Sequence, residues 1–178
     1  MREIEGIQTV VRKLEPHWPE IMAHFNSENE RNRALVAQDH DLLGRVLKCH
    51  LVVEHYLNRF LTEHYDISGI DEVRLSFFQK AKLLPDSESS AAFVKPGIVE
   101  LNAIRNKFGH RLNAVIGNRD LTAINAVLRV ARRGARFSAA VERIEAFTTV
   151  ACTFLIVPPP KLRQVFVDAF AEVRVNAL

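Results

Sequence analysis

The sequence has little of what most enzyme and membrane classes require. Only two cysteines occur in 178 residues, Cys49 and Cys152, and both fall inside apolar helical patterns. They read as reduced core residues of a cytoplasmic protein, not as a disulfide or a metal pair. Glycine and proline number seven each, too few for a disordered chain or a turn-rich all-β fold. The longest apolar run, Val150 to Pro160, is about half of the ~20 residues that a membrane span needs. The opening MREIEGIQTVVRKLEPHW has no apolar stretch of the secretory-signal type. No HExxH, CxxC or glycine-rich phosphate loop occurs, and Ser76, Ser87 and Ser89 lack a nucleophile-elbow context. His17, His24, His40, His55 and His64 show no metal-ligand spacing. No metal and no other cofactor is therefore expected. No basic recognition helix of the helix-turn-helix kind stands out either.

What is present is helical periodicity almost throughout. Hydrophobic residues make up 48% and charged residues 25%, an ordinary globular balance, and the length suits a single domain over residues 1–178. Ile4, Ile7, Val10, Val11 and Leu14 mark a first amphipathic helix, and a short one follows near Pro19 to Phe25, with Asn26 to Asn32 as a loop or frayed end. The longest helix spans about Asp39 to Tyr65, opened by Asp39 or Asp41, with a stripe of Leu43, Leu47, His50, Glu54, Leu57 and Leu61. A turn at Asp66 to Asp71 precedes a helix around Val73 to Leu84, which Pro85-Asp86-Ser87 ends. Pro96-Gly97 introduces a helix from about Ile98 to His110. Asp120 caps a helix from Leu121 to Arg133, with Gly134 at its end, and helices over Ser138 to Ile156 and Lys161 to Val175 flank Pro158-Pro159-Pro160. The expected fold is an all-α, up-and-down helical bundle with a core over about residues 39–135 and additional N- and C-terminal helices.

Charge is unevenly spread. The net formal charge is +3, but residues 1–30 hold three Arg/Lys against six Asp/Glu, and residues 101–136 hold eight Arg/Lys against one Asp. The basic segment points to a polyanion, nucleic acid first; a solvated helical face with basic ends is the other account of it.

Within that segment stands Arg105-Asn106-Lys107-Phe108-Gly109-His110. On a wheel at about 100° per residue, Leu101, Ile104 and Phe108 form an apolar stripe, while Arg105, Asn106 and His110 line its flank. Gly109 leaves a gap among them at a helix position where glycine costs about 1 kcal/mol relative to alanine. Close approach of a backbone or ligand would account for it, as would termination of the helix near His110. The residue types suit phosphodiester chemistry without metal. An imidazole exchanges protons near neutral pH, an arginine fork matches phosphate oxygens, and Asn106, one turn from His110, can orient the ring or a phosphate. Attack of a ribose 2′-OH on the adjacent phosphorus would leave a 2′,3′-cyclic phosphate and spare DNA, with Arg105 stabilising the developing charge. Two proton transfers need two acid–base groups, so this chemistry calls for a symmetric homodimer with both copies of His110 in one cleft.

The string RNKFGH resembles the R-N-x-x-x-H motif of the HEPN superfamily. The context is similar as well: LLGRVLKCHLVVEHYLNRFL, then KAKLLPDS, then GIVELNAIRNKFGH, together about Asp39 to Arg111. The resemblance implies catalytic Arg105 and His110, an orienting Asn106, and a dimer with facing motifs. It further implies an endoribonuclease acting as a toxin or phage-defence component, with an antitoxin or regulatory protein as partner. Mannitol-repressor-like regulators share the long-helix pattern, so a non-catalytic module binding RNA, nucleotide or a regulatory protein is the alternative. Residues before about 40 and the last sixty match nothing in the pattern.

Other residues carry two readings each. His50 and Glu54, one turn apart in an apolar stripe, need partners; they either preset Arg105 and Asn106 or form a structural pair. Lys107 and Arg111 either bind RNA phosphates or are plain surface residues. Arg132, Arg133 and Arg136 either contact RNA or complement a helix C-terminus.

Overall fold

The computed structural model describes residues 6–36, 40–70, 72–111 and 114–174. Ile4, Asp39, Asp71 and Val175, named above in helix or turn boundaries, lie outside the described residues. The described residues are helical with no strand, as expected. None of their helices is long and apolar enough to cross a membrane. The chain divides into two compact units, residues 1–38 and 39–178.

The first unit holds α1 (Ile7–Leu14), a 3-10 turn at Glu15–His17 and α2 (Trp18–Val36). Pro19 sits in the first turn of α2, where its missing N–H costs nothing. The expected loop at Asn26 to Asn32 is instead helix. Glu28, Glu30, Arg31, Arg33, Ala34 and Leu35 are good helix formers and no glycine or proline intervenes, so polarity there marks a solvated face and not a break.

The second unit is a bundle of α3 (His40–Tyr65), α4 (Phe77–Lys82), α5 (Ser90–His110), α6 (Thr122–Ala131), α7 (Ala140–Phe154) and α8 (Arg163–Phe170). The core is built chiefly from α3, α5, α6 and α7: Val46, Val53 and Leu57 pack with Ile98, Leu101, Ile124, Ile144 and Phe147. It therefore runs past residue 135 into α7. The expected stripe of α3 is right at His50, Leu57 and Leu61, but Leu43 and Leu47 are exposed and Val46, Cys49 and Val53 are buried in their place. A bidentate ion pair, Arg45 Nε to Glu145 Oε1 at 2.8 Å and Nη2 to Oε2 at 2.7 Å, ties the start of α3 to α7.

The helix bearing the motif starts earlier than expected. Ser89 caps α5 by accepting from the Ala91 N–H at 3.2 Å, and Pro96 lies inside the helix. A proline there removes one backbone hydrogen bond. The cost is offset by burial of Ala91, Ala92, Val94, Gly97 and Ile98 along that stretch. Gly97 is required by packing: a Cβ built on it would run into the ring of Phe147. Glycine there lets α5 and α7 touch.

Asp120 does not cap α6. Its Oδ2 accepts from the Gly117 N–H at 2.7 Å and from Lys107 Nζ at 2.8 Å, closing the 3-10 turn Asn118–Leu121. The first turn of α6 is served by Glu100 of α5, whose Oε2 accepts from the Ile124 N–H at 2.8 Å. Burial raises the Glu100 carboxyl above its ordinary range, and the α6 N–H groups partly restore the ionised form. Val73 to Leu84 is helical only over α4, where Ser76 and Gln79 form a reciprocal cap: the Ser76 N–H donates to Gln79 Oε1 at 2.8 Å and the Gln79 N–H to Ser76 Oγ at 3.3 Å.

Candidate active site

The last turn of α5 leaves the core. Ile104 is buried, Asn106, Lys107 and Phe108 are half-buried, and Arg105, Gly109 and His110 are exposed. The same helix that is demanded by packing from Ser90 to Ile104 thus ends in a polar turn open to solvent. Arg105 Nη1 donates to Asn106 Oδ1 at 3.3 Å, so the guanidinium and the carboxamide lie side by side. Gly109 is at the open side of Arg105: a Cβ built there would meet only Arg105 Nη1, at 3.7 Å, an ordinary contact. Among the described residues nothing needs Gly109 to be glycine. His110 is the final residue of the helix, and Arg111 beyond it turns into extended backbone at φ −137°.

Behind the turn lies His50, only 7% exposed. Its ring stacks on Phe77 at 4.0 Å between centroids and comes within hydrogen-bonding reach of the Asn102 side chain. Burial depresses the His50 pKa most; Asn102 and the charge of Glu54 oppose this, and Arg105 adds to it. His50 Nε2 has no hydrogen-bond partner among the described residues. An imidazole in this setting is neutral at pH 7. His50 is therefore a second imidazole close enough to Arg105 to feel its charge, and it neighbours Asn102, which the motif does not include. A signal for it was available: Asn102 stands one turn before Asn106 and at i−3 from Arg105, on the same flank.

The other candidates are distributed as follows. Glu54 does not join the motif: its Oε1 accepts from Lys80 Nζ of α4 at 2.9 Å, and Lys80 is a buried lysine. That pair is structural, since an ammonium can be buried only with its charge matched. Lys107 is also held within the fold, donating to the Val115 carbonyl at 2.8 Å as well as to Asp120. That salt bridge lowers the Asp120 pKa, helped by the Gly117 N–H. Arg111 is exposed near His110 in sequence and position. Arg132 and Arg133 follow the C-terminal end of α6, and Val130 of that end lines a pocket with Phe93 and Pro96. Pro96 precedes His110 by fourteen residues of one helix, roughly 20 Å at 1.5 Å per residue. The basic segment is thus split between two ends of the bundle, with Arg105, His110 and Arg111 at one and Arg132 and Arg133 at the other.

Chemically, the end of the helix offers a guanidinium fork, a carboxamide and an imidazole within about one and a half helical turns, with open space over Gly109. Among the described residues no group of three or more His, Cys, Asp or Glu side chains is placed to hold a metal ion. The one exposed imidazole that the motif supplies per chain can perform one proton transfer at a time. No protein-family model, curated protein or solved structure matches this chain.

Proposed function

We propose that the chain is a HEPN-like, metal-independent endoribonuclease working as a homodimer in the cytoplasm, a toxin or defence component restrained by a partner protein. The observation that carries this reading is the company of Arg105, Asn106 and His110 at the solvent-facing end of a helix otherwise packed into the core, around a glycine that no described residue requires. In the reaction, one His110 accepts the proton of the ribose 2′-OH as its oxygen bonds to phosphorus. The His110 of the second copy donates a proton to the departing 5′-oxygen as the P–O5′ bond breaks. Arg105 stabilises the charge on the phosphoryl oxygens, a role for which a preorganised fork is suited. Asn106, beside Arg105, orients that fork, and Arg111 adds a phosphate contact.

The test is incubation of the pure protein with single-stranded RNA and with DNA of the same sequence in EDTA, beside a His110→Ala variant. The reading expects RNA cleavage by the wild type alone, with 2′,3′-cyclic phosphate ends. Equal cleavage by both proteins, or none by the wild type at high concentration, would remove it.

A second reading is favoured by the motif supplying one exposed imidazole per chain: a non-catalytic module that holds RNA, nucleotide or a regulatory protein through Arg105 and Arg111. Its signature is RNA affinity without cleavage, falling as salt rises.

A further inference from the structure

At the end of the bundle remote from His110, a cavity of about 280 Å³ opens between the C-terminal turn of α3, the start of α5, the segment after α7, and α8. Ser90, on its wall, is twenty residues of α5 away from His110, about 30 Å along the helix. Phe60 and Val157 give it apolar walls, and Glu63, His64, Glu88 and Arg163 its polar ones. The two carboxylates have cationic partners: Arg59 Nε donates to Glu63 Oε1 at 2.7 Å, and Arg174 Nη2 stands 3.9 Å from Glu88 Oε1. Arg163 has no hydrogen bond or ion pair from its side chain among the described residues. His64 is stacked on Phe60 at 4.9 Å, and its pKa is depressed first by burial and then by the charge of Arg163. Arg163 is therefore a cation at the cavity mouth with no anionic partner among the described residues, and His64 on the same wall, neutral at pH 7, has a ring N–H to donate.

We propose that this cavity binds a small organic carboxylate with an apolar body, its carboxylate held by Arg163 and His64 and its hydrocarbon part against Phe60 and Val157. A guanidinium fork matches a carboxylate in two parallel hydrogen bonds. Two neighbouring carboxylates, Glu63 and Glu88, disfavour a dianion, which sets a monocarboxylate above a phosphate. The size agrees: at about 30 Å³ per liquid water, the space holds roughly nine waters, or an acid of about ten non-hydrogen atoms. Such a volume lies near the lower end for small-molecule sites.

Octanoate is a suitable probe. The full-length protein is titrated with sodium octanoate, 1-octanol or inorganic phosphate while backbone amide NMR shifts are followed, and the titrations are repeated on Arg163→Gln and His110→Ala. Octanoate is expected to saturate, moving amides at residues 60–64, 88–90 and 157–167. Arg163→Gln weakens it about tenfold and leaves the weaker binding of octanol unchanged, which shows that the variant keeps the cavity. His110→Ala binds octanoate like the wild type, so the outcome is separate from that of the ribonuclease assay. The proposal is overturned if octanoate fails to saturate by about 10 mM, if its shifts map elsewhere, if Arg163→Gln binds it equally well, or if phosphate binds as tightly.

Discussion

The two ends of α5 obey different rules, and its two glycines show it. Gly97 is buried, and a Cβ there would run into the ring of Phe147; the fold demands the glycine. Gly109 is exposed, and a Cβ there would meet one guanidinium nitrogen at an ordinary distance; the fold is indifferent. The same contrast extends to the charged residues. Lys80, Lys95 and Lys107 are consumed by the structure: Lys80 by Glu54, Lys95 by the Leu84 carbonyl at 2.6 Å and Asp86 at 2.7 Å, Lys107 by Asp120. Among the described residues Arg105 and His110 have no such ion pair, and Arg105 donates only to its neighbour Asn106. Residues that a fold does not explain are where function is to be sought, and this is the physical basis for placing the site at the C-terminal end of the helix.

Substitutions at the two ends of α5 and at its neighbours separate the residues that stability needs from those it does not. The largest effect is expected at Gly97→Ala, which forces Phe147 or α5 to move and should cost about 3 kcal/mol of unfolding free energy, the upper part of the overpacking range; a denaturant midpoint close to wild type would show that the α5–α7 contact is not tight. Glu54→Ala should cost about 2 kcal/mol, because it strands the buried Lys80 ammonium beside a carboxylate site that is only partly exposed. Lys80→Met combined with Glu54→Ala should recover much of that loss, which a double-mutant cycle will measure.

A smaller, pH-dependent effect is expected at His50. Its folded pKa is depressed by burial, so the folded state binds fewer protons than the unfolded one near the ordinary histidine value of about 6.5. Stability is then full above that value and falls as pH drops through it toward the folded pKa. Acidification from about pH 7.5 to 5 should lower the midpoint of the wild type more than that of His50→Leu; parallel curves would contradict the assigned burial. The smallest change in stability belongs to Gly109→Ala, neutral or up to about 0.5 kcal/mol stabilising near a helix end. Its RNA cleavage should nonetheless decrease, since the added methyl occupies the open space beside Arg105. A variant as active as wild type would mean that the gap serves only to end the helix.

How much of this was legible in the sequence follows the reach of each interaction. The long α3, the breaks at Asp66 and Pro158-Pro159-Pro160, and the placement of Arg105, Asn106 and His110 on one helix depend on neighbours within a few residues, which periodicity reports. The start of α5 was not legible, because proline rules weigh a local hydrogen bond and cannot see the packing that Gly97 makes with Phe147, fifty residues away. The face of α3 was ambiguous for another reason. Leu43-Leu47-Leu51 and Val46-Cys49-Val53 are both spaced for burial, and only the partners of the helix choose between them. Partners also decided Glu54 and Lys107. Glu54 resembled a site residue by lying one turn from His50 in an apolar stripe, and Lys107 by lying inside the motif; each is satisfied by a residue, Lys80 or Asp120, that no local pattern links to it.

The central claim is that the exposed end of α5 is present for chemistry and not for stability. It is tested most directly by measuring, on one preparation of His110→Ala beside the wild type, the unfolding free energy and the rate of single-stranded RNA cleavage in EDTA. Unfolding free energies within about 0.5 kcal/mol of each other and cleavage by the wild type only are expected. A destabilised variant that cleaves RNA as fast as the wild type would contradict it.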